Sequence, residues 1–147
     1  MTGAQQHLMS KTVTFEVLVQ FGDCDPAQIV FFPNYLKWMD ASSLNFFRQC
    51  GVPSWRDLMK TTGIIGSPVL EIQTQFKSPA TYGDTLHIAT SVREWRNKVF
   101  IHHHEVKRGD TLICEGLETR ALCTVHPEDP NRLKAIPIPE DIRLMCS

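Results

Sequence analysis

The sequence has no long apolar run and no excess of charge. Among its 147 residues, Lys and Arg number 15 and Asp and Glu 16, so the net charge is −1. A chain without a basic excess has no general electrostatic attraction for nucleic acid or for an anionic membrane surface. No apolar stretch approaches the roughly 20 residues that a membrane-spanning helix needs. We therefore predict a globular protein whose partners are neither nucleic acid nor a membrane.

Cysteine pairs and several catalytic motifs are also absent. The five cysteines are an odd number and include no C-x-x-C. This argues against a disulfide framework or a zinc knuckle and predicts a reducing, cytoplasmic location. G-x-S-x-G, G-x-x-x-x-G-K-[ST], G-x-G-x-x-G and H-E-x-x-H do not occur. Their absence makes a serine-elbow hydrolase, a nucleotide-binding loop and a zinc protease helix unlikely assignments.

The order of the predicted elements indicates an α+β fold. Residues 12–21, "TVTFEVLVQF", are typical of a strand. Pro33 suits the first turn of a long apolar helix, and Gly51 is a natural stop after it. Strand-like segments follow, among them residues 69–76, "VLEIQTQF", and residues 85–92, "TLHIATSV", in which apolar residues alternate along the segment. The last, "TLICEGLETRALCTV", is long enough to need a bulge or bend near Gly116. A helix followed by consecutive strands predicts a mainly antiparallel sheet packed on one helix.

The length suits a single domain. We predict a flexible N-terminal tail over residues 1–10, which are polar and lack an apolar signal core, and one domain over residues 11–147. A sheet that covers one helix leaves an edge strand open. Pairing of such edges across a two-fold axis would cover them, so we expect a dimer or a higher symmetric oligomer.

Three consecutive histidines, His102, His103 and His104, are a candidate metal site. On a strand, the first and third face one way and the middle one faces the other. Two histidines need at least one further ligand, and the sequence does not point to one. We therefore favour histidines packed on the sheet or facing solvent.

The pair Asp23 and Asp25 in "FGDCDPAQIVFFPNY" has three interpretations. The carboxylates could cap a turn after a strand. They could form the D-x-D-x-[TV] motif of haloacid dehalogenase-like phosphatases, although Ala27 stands where Thr or Val is required. They could also supply a carboxylate that faces the free N–H groups at the start of the helix. A carboxylate and an oxyanion-stabilising N–H are the two parts that hydrolysis of a thioester needs.

The segment "FGDCDPAQIVFFPNYLKWMDASSLNFFRQCG" resembles the start of 4-hydroxybenzoyl-CoA thioesterases of the hotdog-fold superfamily. The similarity continues through "GIIGSPVL", "EWRNKVF" and "RLKAI". The resemblance implies a curved antiparallel sheet wrapped around one long central helix. It also implies dimers or dimers of dimers with active sites at the dimer interface, and an acyl-CoA substrate. Coenzyme A is then part of the substrate, and no metal or other cofactor is expected.

The resemblance also implies roles for individual residues. Asp25 would be the catalytic carboxylate, as a nucleophile or as a general base, and the backbone N–H of Phe32 would polarise the thioester carbonyl. Asp23 would form the turn. Asp40 and Ser67 would line the acyl pocket across the subunit boundary. The residues that would contact the phosphates of coenzyme A are Arg96, Lys98, Arg132 and Lys134, whose charge suits a polyanion.

The sequence departs from the family pattern at four positions. Gln28 replaces a glycine, Ser67 replaces a threonine, and Asn97 and Val99 stand where an arginine and a serine are expected. We predict a thioesterase for an aromatic, 4-hydroxybenzoyl-like acyl group. A thioesterase for short aliphatic acyl groups and a non-catalytic acyl-CoA-binding domain on the same fold are the alternatives.

Overall fold

The computed structural model describes residues 11–147, and the predicted tail over residues 1–10 lies outside them. The strands are β1 (Thr12–Leu18), β2 (Ile64–Gly66), β3 (Val69–Phe76), β4 (Thr85–Trp95), β5 (Val99–Arg108), β6 (Thr111–Ala121), β7 (Cys123–Val125) and β8 (Leu133–Ala135). The α-helices are α1 (Pro33–Gln49), α2 (Trp55–Thr62) and α3 (Glu140–Met145).

Five strands form one sheet in the order β1-β4-β5-β6-β3, and a smaller sheet has the order β2-β7-β8. All pairings within residues 11–147 are antiparallel. The turn between β5 and β6 is short because Gly109 adopts a φ of +58°, a left-handed conformation that glycine accepts without strain. The predicted α+β layout, an antiparallel sheet against one long helix, is confirmed.

Helix α1 supplies the apolar face on which the large sheet packs. Its buried side chains are Tyr35, Met39, Ser42, Ser43, Phe46 and Phe47. These positions recur at three- and four-residue steps, which place them on one side of a helix. Met39 shares a buried cluster with Leu86 and Ile88 of β4. Each large apolar side chain buried in this way stabilises the fold by roughly 1.5–3 kcal/mol.

Gly116 makes room for the helix rather than interrupting a strand. It pairs in regular register with Thr74 of β3 and with His104 of β5, so the bulge predicted at this position is wrong. A Cβ atom at position 116 would lie 2.7 Å from Sδ of Met39. The missing side chain therefore allows α1 to approach the middle of the sheet.

The predicted long strand over residues 111–125 is divided between the two sheets. β6 ends at Ala121, and β7 begins at Cys123 as the middle strand of the small sheet. Leu122 lies between them with its side chain fully buried, and its carbonyl accepts a hydrogen bond from the Ile136 N–H at 2.9 Å. The chain changes sheets at Leu122 because this buried side chain and the new backbone partner draw it out of the first ladder.

Strand β3 is an open edge. Within the described residues it pairs on one side only, with β6. Its apolar side chains include Leu70, Ile72 and Phe76, which are 61%, 39% and 51% exposed. A long edge strand with exposed apolar side chains is a surface that proteins normally cover.

Candidate active site

The segment after β1 is a turn held by Asp23. A carboxylate oxygen of Asp23 accepts the Gln20 N–H at 2.8 Å across a short 3₁₀ turn. Its backbone carbonyl accepts the Phe31 N–H at 2.9 Å and the Asn34 side-chain amide at 2.8 Å. The carboxylate shapes the turn while the carbonyl connects the turn to the start of α1. The prediction that Asp23 forms the turn is confirmed.

Asp25 lies at the base of a small loop that returns to the helix. A β-bridge pairs Cys24 with Val30, and the Asp25 N–H donates to the Ile29 carbonyl at 2.9 Å. One carboxylate oxygen accepts the Ala27 N–H at 2.9 Å, which is the geometry of an Asx turn. Among residues 11–147 the other oxygen has no hydrogen-bond partner, and the residue is half-buried. The Asp25 carboxylate is therefore held in one orientation, and one of its oxygens is not hydrogen bonded within the described chain.

The start of α1 presents an unused backbone donor. Phe32 is the residue that caps the helix, and Pro33 has no N–H to offer. The Asn34 N–H donates to the Phe31 carbonyl at 2.9 Å, and the Tyr35 N–H donates to the Phe32 carbonyl at 3.1 Å. No acceptor for the Phe32 N–H exists in the part of the chain that the structure describes. A free N–H at a helix start is suited to stabilising negative charge.

The backbone conformation at Gln28 is the reason that the family motif has a glycine at this position. Its φ is +66°, a left-handed conformation that costs a non-glycine residue about 1–2 kcal/mol. The Gln28 N–H donates to the Asp25 carbonyl at 2.8 Å, and its carbonyl accepts the Thr81 hydroxyl at 2.6 Å. These two bonds hold the loop in shape despite the strained residue.

A cavity of about 460 Å³ contains both residues of the predicted acyl pocket. Its lining includes Asp40 on α1, Ser67 between β2 and β3, Trp55 on α2 and Arg120 on β6. Phe32 instead lines a different cavity, of about 300 Å³, with Tyr35 and Phe76 among its neighbours.

Within one chain, the predicted site residues therefore fall into two groups. Phe32 lies at the start of α1, and Asp25 lies in the loop that leads to it. Asp40 is eight residues beyond Phe32, or about 12 Å along the helix, and lies with Ser67 in the larger cavity. The described chain does not by itself bring the predicted catalytic and acyl-binding groups together.

Arg120 is a residue of this cavity that the sequence did not reveal. Its side chain is 5% exposed, and its guanidinium donates to the Ser67 carbonyl at 2.7 Å, to Asp40 Oδ1 at 2.7 Å and to Glu118 Oε2 at 2.9 Å. The one indication of it in the sequence was the two-residue spacing of Glu118 and Arg120. Glu118 and Arg120 are two residues apart on a strand, so both point into the protein.

The four predicted phosphate-contacting residues are exposed and lie on neighbouring segments. Arg96 and Lys98 belong to the turn between β4 and β5, whereas Arg132 and Lys134 belong to the β7–β8 hairpin. The Asn97 carbonyl of the first turn accepts the Ile138 N–H, at 2.8 Å, from the segment after β8. Arg96 also pairs with Glu94 at 3.0 Å. The first basic turn therefore packs against the segment that follows the second.

Residues 19–144 match the family model described as the thioesterase-like superfamily. The chain belongs to this superfamily. A 4-hydroxybenzoyl-CoA thioesterase from Pseudomonas sp. (strain CBS-3) is 41% identical to it over 144 residues, which are 95% of this chain and 100% of that protein. The resemblance predicted from the motifs is therefore confirmed.

The fold of this chain is also similar to the folds of solved thioesterase structures. An aspartate-to-asparagine mutant of 4-hydroxybenzoyl-CoA thioesterase, complexed with 4-hydroxybenzoyl-CoA, superimposes with a TM-score of 0.88 at 40% identity. The superposition covers 92% of this chain and 99% of the mutant chain. A gentisyl-coenzyme A thioesterase superimposes with a TM-score of 0.76 at 35% identity, over 91% and 98% of the two chains. The hotdog fold and the assignment as a thioester hydrolase are confirmed.

Behind the cavity that contains Asp40 and Ser67 lies a buried polar cluster. The Ser43 hydroxyl lies 2.9 Å from His102 Nδ1 and 3.3 Å from His104 Nε2, and it donates to Glu118 Oε1 at 2.6 Å. His104 also hydrogen bonds to Glu118 directly, and to the Thr90 hydroxyl at 2.6 Å. All five residues are buried. His102 and His104 share the inward face of β5, as predicted, and are packed on the sheet.

This cluster has the donor types of a metal site but is arranged as a hydrogen-bond network. Ligand atoms of His102, His104 and Glu118 lie within 4.8 Å of one another. Glu118 has the position that a third metal ligand would need, and the sequence did not indicate it. The Ser43 hydroxyl already bonds to an atom of each of the three, whereas His102 Nε2 is buried and has no hydrogen-bond partner among the described residues. The expectation of no metal remains a prediction.

Burial and neighbouring charges set the ionisation of two members of the cluster. Burial lowers the pKa of His102 well below 6.5, and the charges of His104 and Arg120 lower it further against the opposing effect of Glu118. Burial alone would raise the pKa of Glu118. The hydrogen bond and charge of His104, the charge of Arg120 and the Ser43 hydroxyl together outweigh burial and lower it to about 2. At neutral pH His102 is neutral and Glu118 is ionised.

We expect the free energy of unfolding to fall on mild acidification, and His102→Gln to reduce that fall. Below pH 6.5 the unfolded chain protonates His102 whereas the folded protein does not, so stability decreases by up to about 1.4 kcal/mol per pH unit. Glu118 acts in the same direction, but only between its unfolded pKa of about 4.3 and its folded pKa of about 2. Urea unfolding at about pH 7 and about pH 5.5 isolates the histidine. An equal fall in both proteins would contradict this assignment.

Proposed function

We propose that this thioesterase hydrolyses an aromatic, 4-hydroxybenzoyl-like acyl-CoA to the free acid and coenzyme A. The single observation that carries the proposal is the bridge between Cys24 and Val30, which turns the chain so that Asp25 and the start of α1 belong to one compact loop. The similarity to a 4-hydroxybenzoyl-CoA thioesterase along the whole of that protein supports the choice of acyl group.

Two reaction courses suit the free oxygen of Asp25. As a nucleophile, it attacks the thioester carbon and expels the thiolate of coenzyme A, leaving a mixed anhydride that water hydrolyses to the acid and the carboxylate. As a general base, it takes a proton from water, whose oxygen attacks the same carbon, and the proton then passes to the departing thiolate. Both courses need one carboxylate oxygen that is not already hydrogen bonded, as at Asp25.

The Phe32 N–H is the proposed oxyanion donor. Each course passes through a tetrahedral species with negative charge on the former carbonyl oxygen. The unused Phe32 N–H at the start of α1 is oriented by the helix and assisted by its dipole. Because the donor is a backbone group, the identity of the Phe32 side chain matters little for this role.

The exposed basic residues are the proposed binding site for the phosphates of coenzyme A. They are Arg96 and Lys98 in the β4–β5 turn, which contacts the segment after β8, and Arg132 and Lys134 in the β7–β8 hairpin. Phosphates are polyanionic and are bound by Arg and Lys through charge-assisted hydrogen bonds. Glu94 competes for Arg96, so this arginine must exchange an intramolecular partner for the ligand.

We further propose that the complete site forms between two subunits. The separation of Asp25 and Phe32 from Asp40 and Ser67 within one chain requires another chain to join the two groups. The open β3 edge, with its exposed apolar side chains, offers the surface for such a dimer. Dimers of dimers are the expected assembly.

The expected location is the cytoplasm, and no metal or separate cofactor is needed for the proposed chemistry. All five cysteines are free thiols, which suits a reducing compartment. None of the helices in the described part of the chain is long and apolar enough to cross a membrane.

A screen of acyl-CoA esters tests the proposed function. We expect thiol release from 4-hydroxybenzoyl-CoA with a kcat/KM at least about tenfold above that for acetyl- or butyryl-CoA, because the acyl cavity is large and lined by Trp55 and Leu44. A thiol-detecting reagent follows the reaction, with benzoyl- and phenylacetyl-CoA as further substrates. A preference for the short esters would favour an aliphatic thioesterase. Absence of thiol release from every ester would overturn the proposal.

A further inference from the structure

We infer that Glu118 neutralises Arg120, so that the acyl cavity, with the Asp40 carboxylate at its surface, rejects acyl groups carrying a carboxylate. A buried arginine beside a substrate cavity usually indicates a receptor for an anion. Here the guanidinium is held between two carboxylates, so its charge is neutralised from within the protein. The inference rests on the proposed function, since it concerns the acyl group of the same substrate.

The contacts of Arg120 leave few of its N–H groups free to bind a ligand. One terminal nitrogen donates to both Asp40 Oδ1 and Glu118 Oε2, at 2.7 and 2.9 Å, and the other donates to the Ser67 carbonyl at 2.7 Å. The Nε atom is buried and has no partner among the described residues. A ligand carboxylate could not form the usual bidentate pair without breaking one of these contacts.

Glu118 holds Arg120 in this position. Its side chain is 1% exposed, and its second oxygen is engaged by the Ser43 hydroxyl and by His104. Removing a charged partner from a buried pair is strongly unfavourable because the other charge is left uncompensated. The Glu118–Arg120 pair is therefore a fixed part of the cavity wall, and Arg120 cannot swing away to bind an anion.

Asp40 places a free carboxylate oxygen at the cavity. It is 68% exposed, and Arg120 contacts only its Oδ1, so Oδ2 is free at the cavity surface. A carboxylated acyl group would be repelled, whereas a neutral group that donates a hydrogen bond could be accepted by Oδ2. Without Arg120, the two carboxylates would repel each other and the orientation of Asp40 would be lost.

Three para-substituted esters test the inference: benzoyl-, 4-hydroxybenzoyl- and 4-carboxybenzoyl-CoA. For the wild-type protein we expect kcat/KM for the 4-carboxy ester to be at least about tenfold below that for benzoyl-CoA. Glu118→Gln frees the charge of Arg120 and should raise this 4-carboxy to benzoyl ratio by about tenfold or more. Asp40→Asn should raise it in the same way, because the remaining Arg120–Glu118 pair is neutral. Within each protein, the benzoyl ester is the internal reference.

The double variant Arg120→Gln/Glu118→Gln separates charge from structure. It replaces the buried ion pair with neutral amides, so the negative charge of Asp40 persists and the 4-carboxy ester should still be rejected. A cavity that merely loosened would accept all three esters more equally. Asp40→Asn changes an exposed side chain and keeps the test open if the buried variants do not fold. A wild-type protein that prefers the 4-carboxy ester, or Asp40→Asn and Glu118→Gln proteins with unchanged ratios, would overturn the inference. Lack of activity on all three esters would instead refute the proposed function.

Discussion

Asp25→Asn should lower kcat by about 10²–10⁴-fold, the range typical of removing a catalytic acid–base group. An amide is neither an effective nucleophile nor a general base at neutral pH. The amide oxygen can still accept the Ala27 N–H, which Asp25 accepts at 2.9 Å, so the Asx turn and the loop should be preserved. Thiol release under saturating substrate measures the effect.

Binding and stability serve as the controls for Asp25→Asn. The proposed phosphate site, which includes Arg96 and Lys134, lies on other segments, so the affinity for coenzyme A should change little. The urea midpoint should also be close to that of the wild-type protein. Turnover near the wild-type level on every accepted ester would show that Asp25 is not the catalytic carboxylate.

A mixture of two inactive variants should regain activity if the site is shared between subunits. Asp25→Asn removes the carboxylate, and Ser67→Trp fills the acyl cavity of about 460 Å³. In a mixed dimer, one site combines the intact Asp25 of one chain with the intact cavity of the other. Random pairing makes half of the dimers mixed, and one of their two sites is intact. Coexpression at equal levels should therefore give about a quarter of the wild-type activity.

The double variant on a single chain is the matched control for this experiment. When the Asp25→Asn/Ser67→Trp chain is coexpressed with wild type, a shared site leaves both sites of the mixed dimer inactive. Only wild-type dimers then contribute, and activity is about a quarter. A site contained within one chain would give about half in this control and no activity in the first mixture, which would refute the shared site.

The parts of the fold that follow local rules could be predicted from the sequence. Helix α1 was expected to begin at Pro33 and to end before Gly51, and it spans Pro33–Gln49, because a proline at the first turn and a glycine after the last turn act locally. Strand β3 was expected over residues 69–76 and has those bounds. Alternation of apolar residues was sufficient for the inward face of β4, but it could not show that β3 is an edge.

Arg120 and the buried polar cluster behind it were missed because these residues meet only through the register of the sheet. Ser43 comes from α1, His104 from β5, and Glu118 and Arg120 from β6, so they are up to 77 positions apart in the chain (from 43 to 120). His102, opposite Glu118 in the β5–β6 pairing, completes the set. The histidine triplet includes two of these residues, but no short motif contains them all. Their common signal, charged side chains on the inward face of otherwise apolar strands, becomes specific only when the pairing is known.

The division of the last long strand was missed for a similar reason. Residues 111–125 have a continuous strand-like pattern, and nothing in their composition marks Leu122 as the change of sheet. The cause is tertiary, since the Leu122 carbonyl bonds to Ile136 of a segment that follows β8. A bulge was predicted at Gly116 because an isolated glycine in a strand usually marks one. Here the glycine is needed instead because a Cβ atom at this position would collide with Met39 of the helix.

Comparing Asp25→Asn with Asp23→Asn tests the central claim most directly, because the two aspartates are two residues apart in the same loop. Asp23 accepts the Gln20 N–H at 2.8 Å, a bond that an asparagine oxygen can also accept. Measured side by side on 4-hydroxybenzoyl-CoA, the Asp23 variant should keep kcat within about threefold of wild type, and the Asp25 variant should lose about 10²–10⁴-fold. Equal losses in the two variants, or a larger loss at Asp23, would contradict the assignment of the chemistry to Asp25.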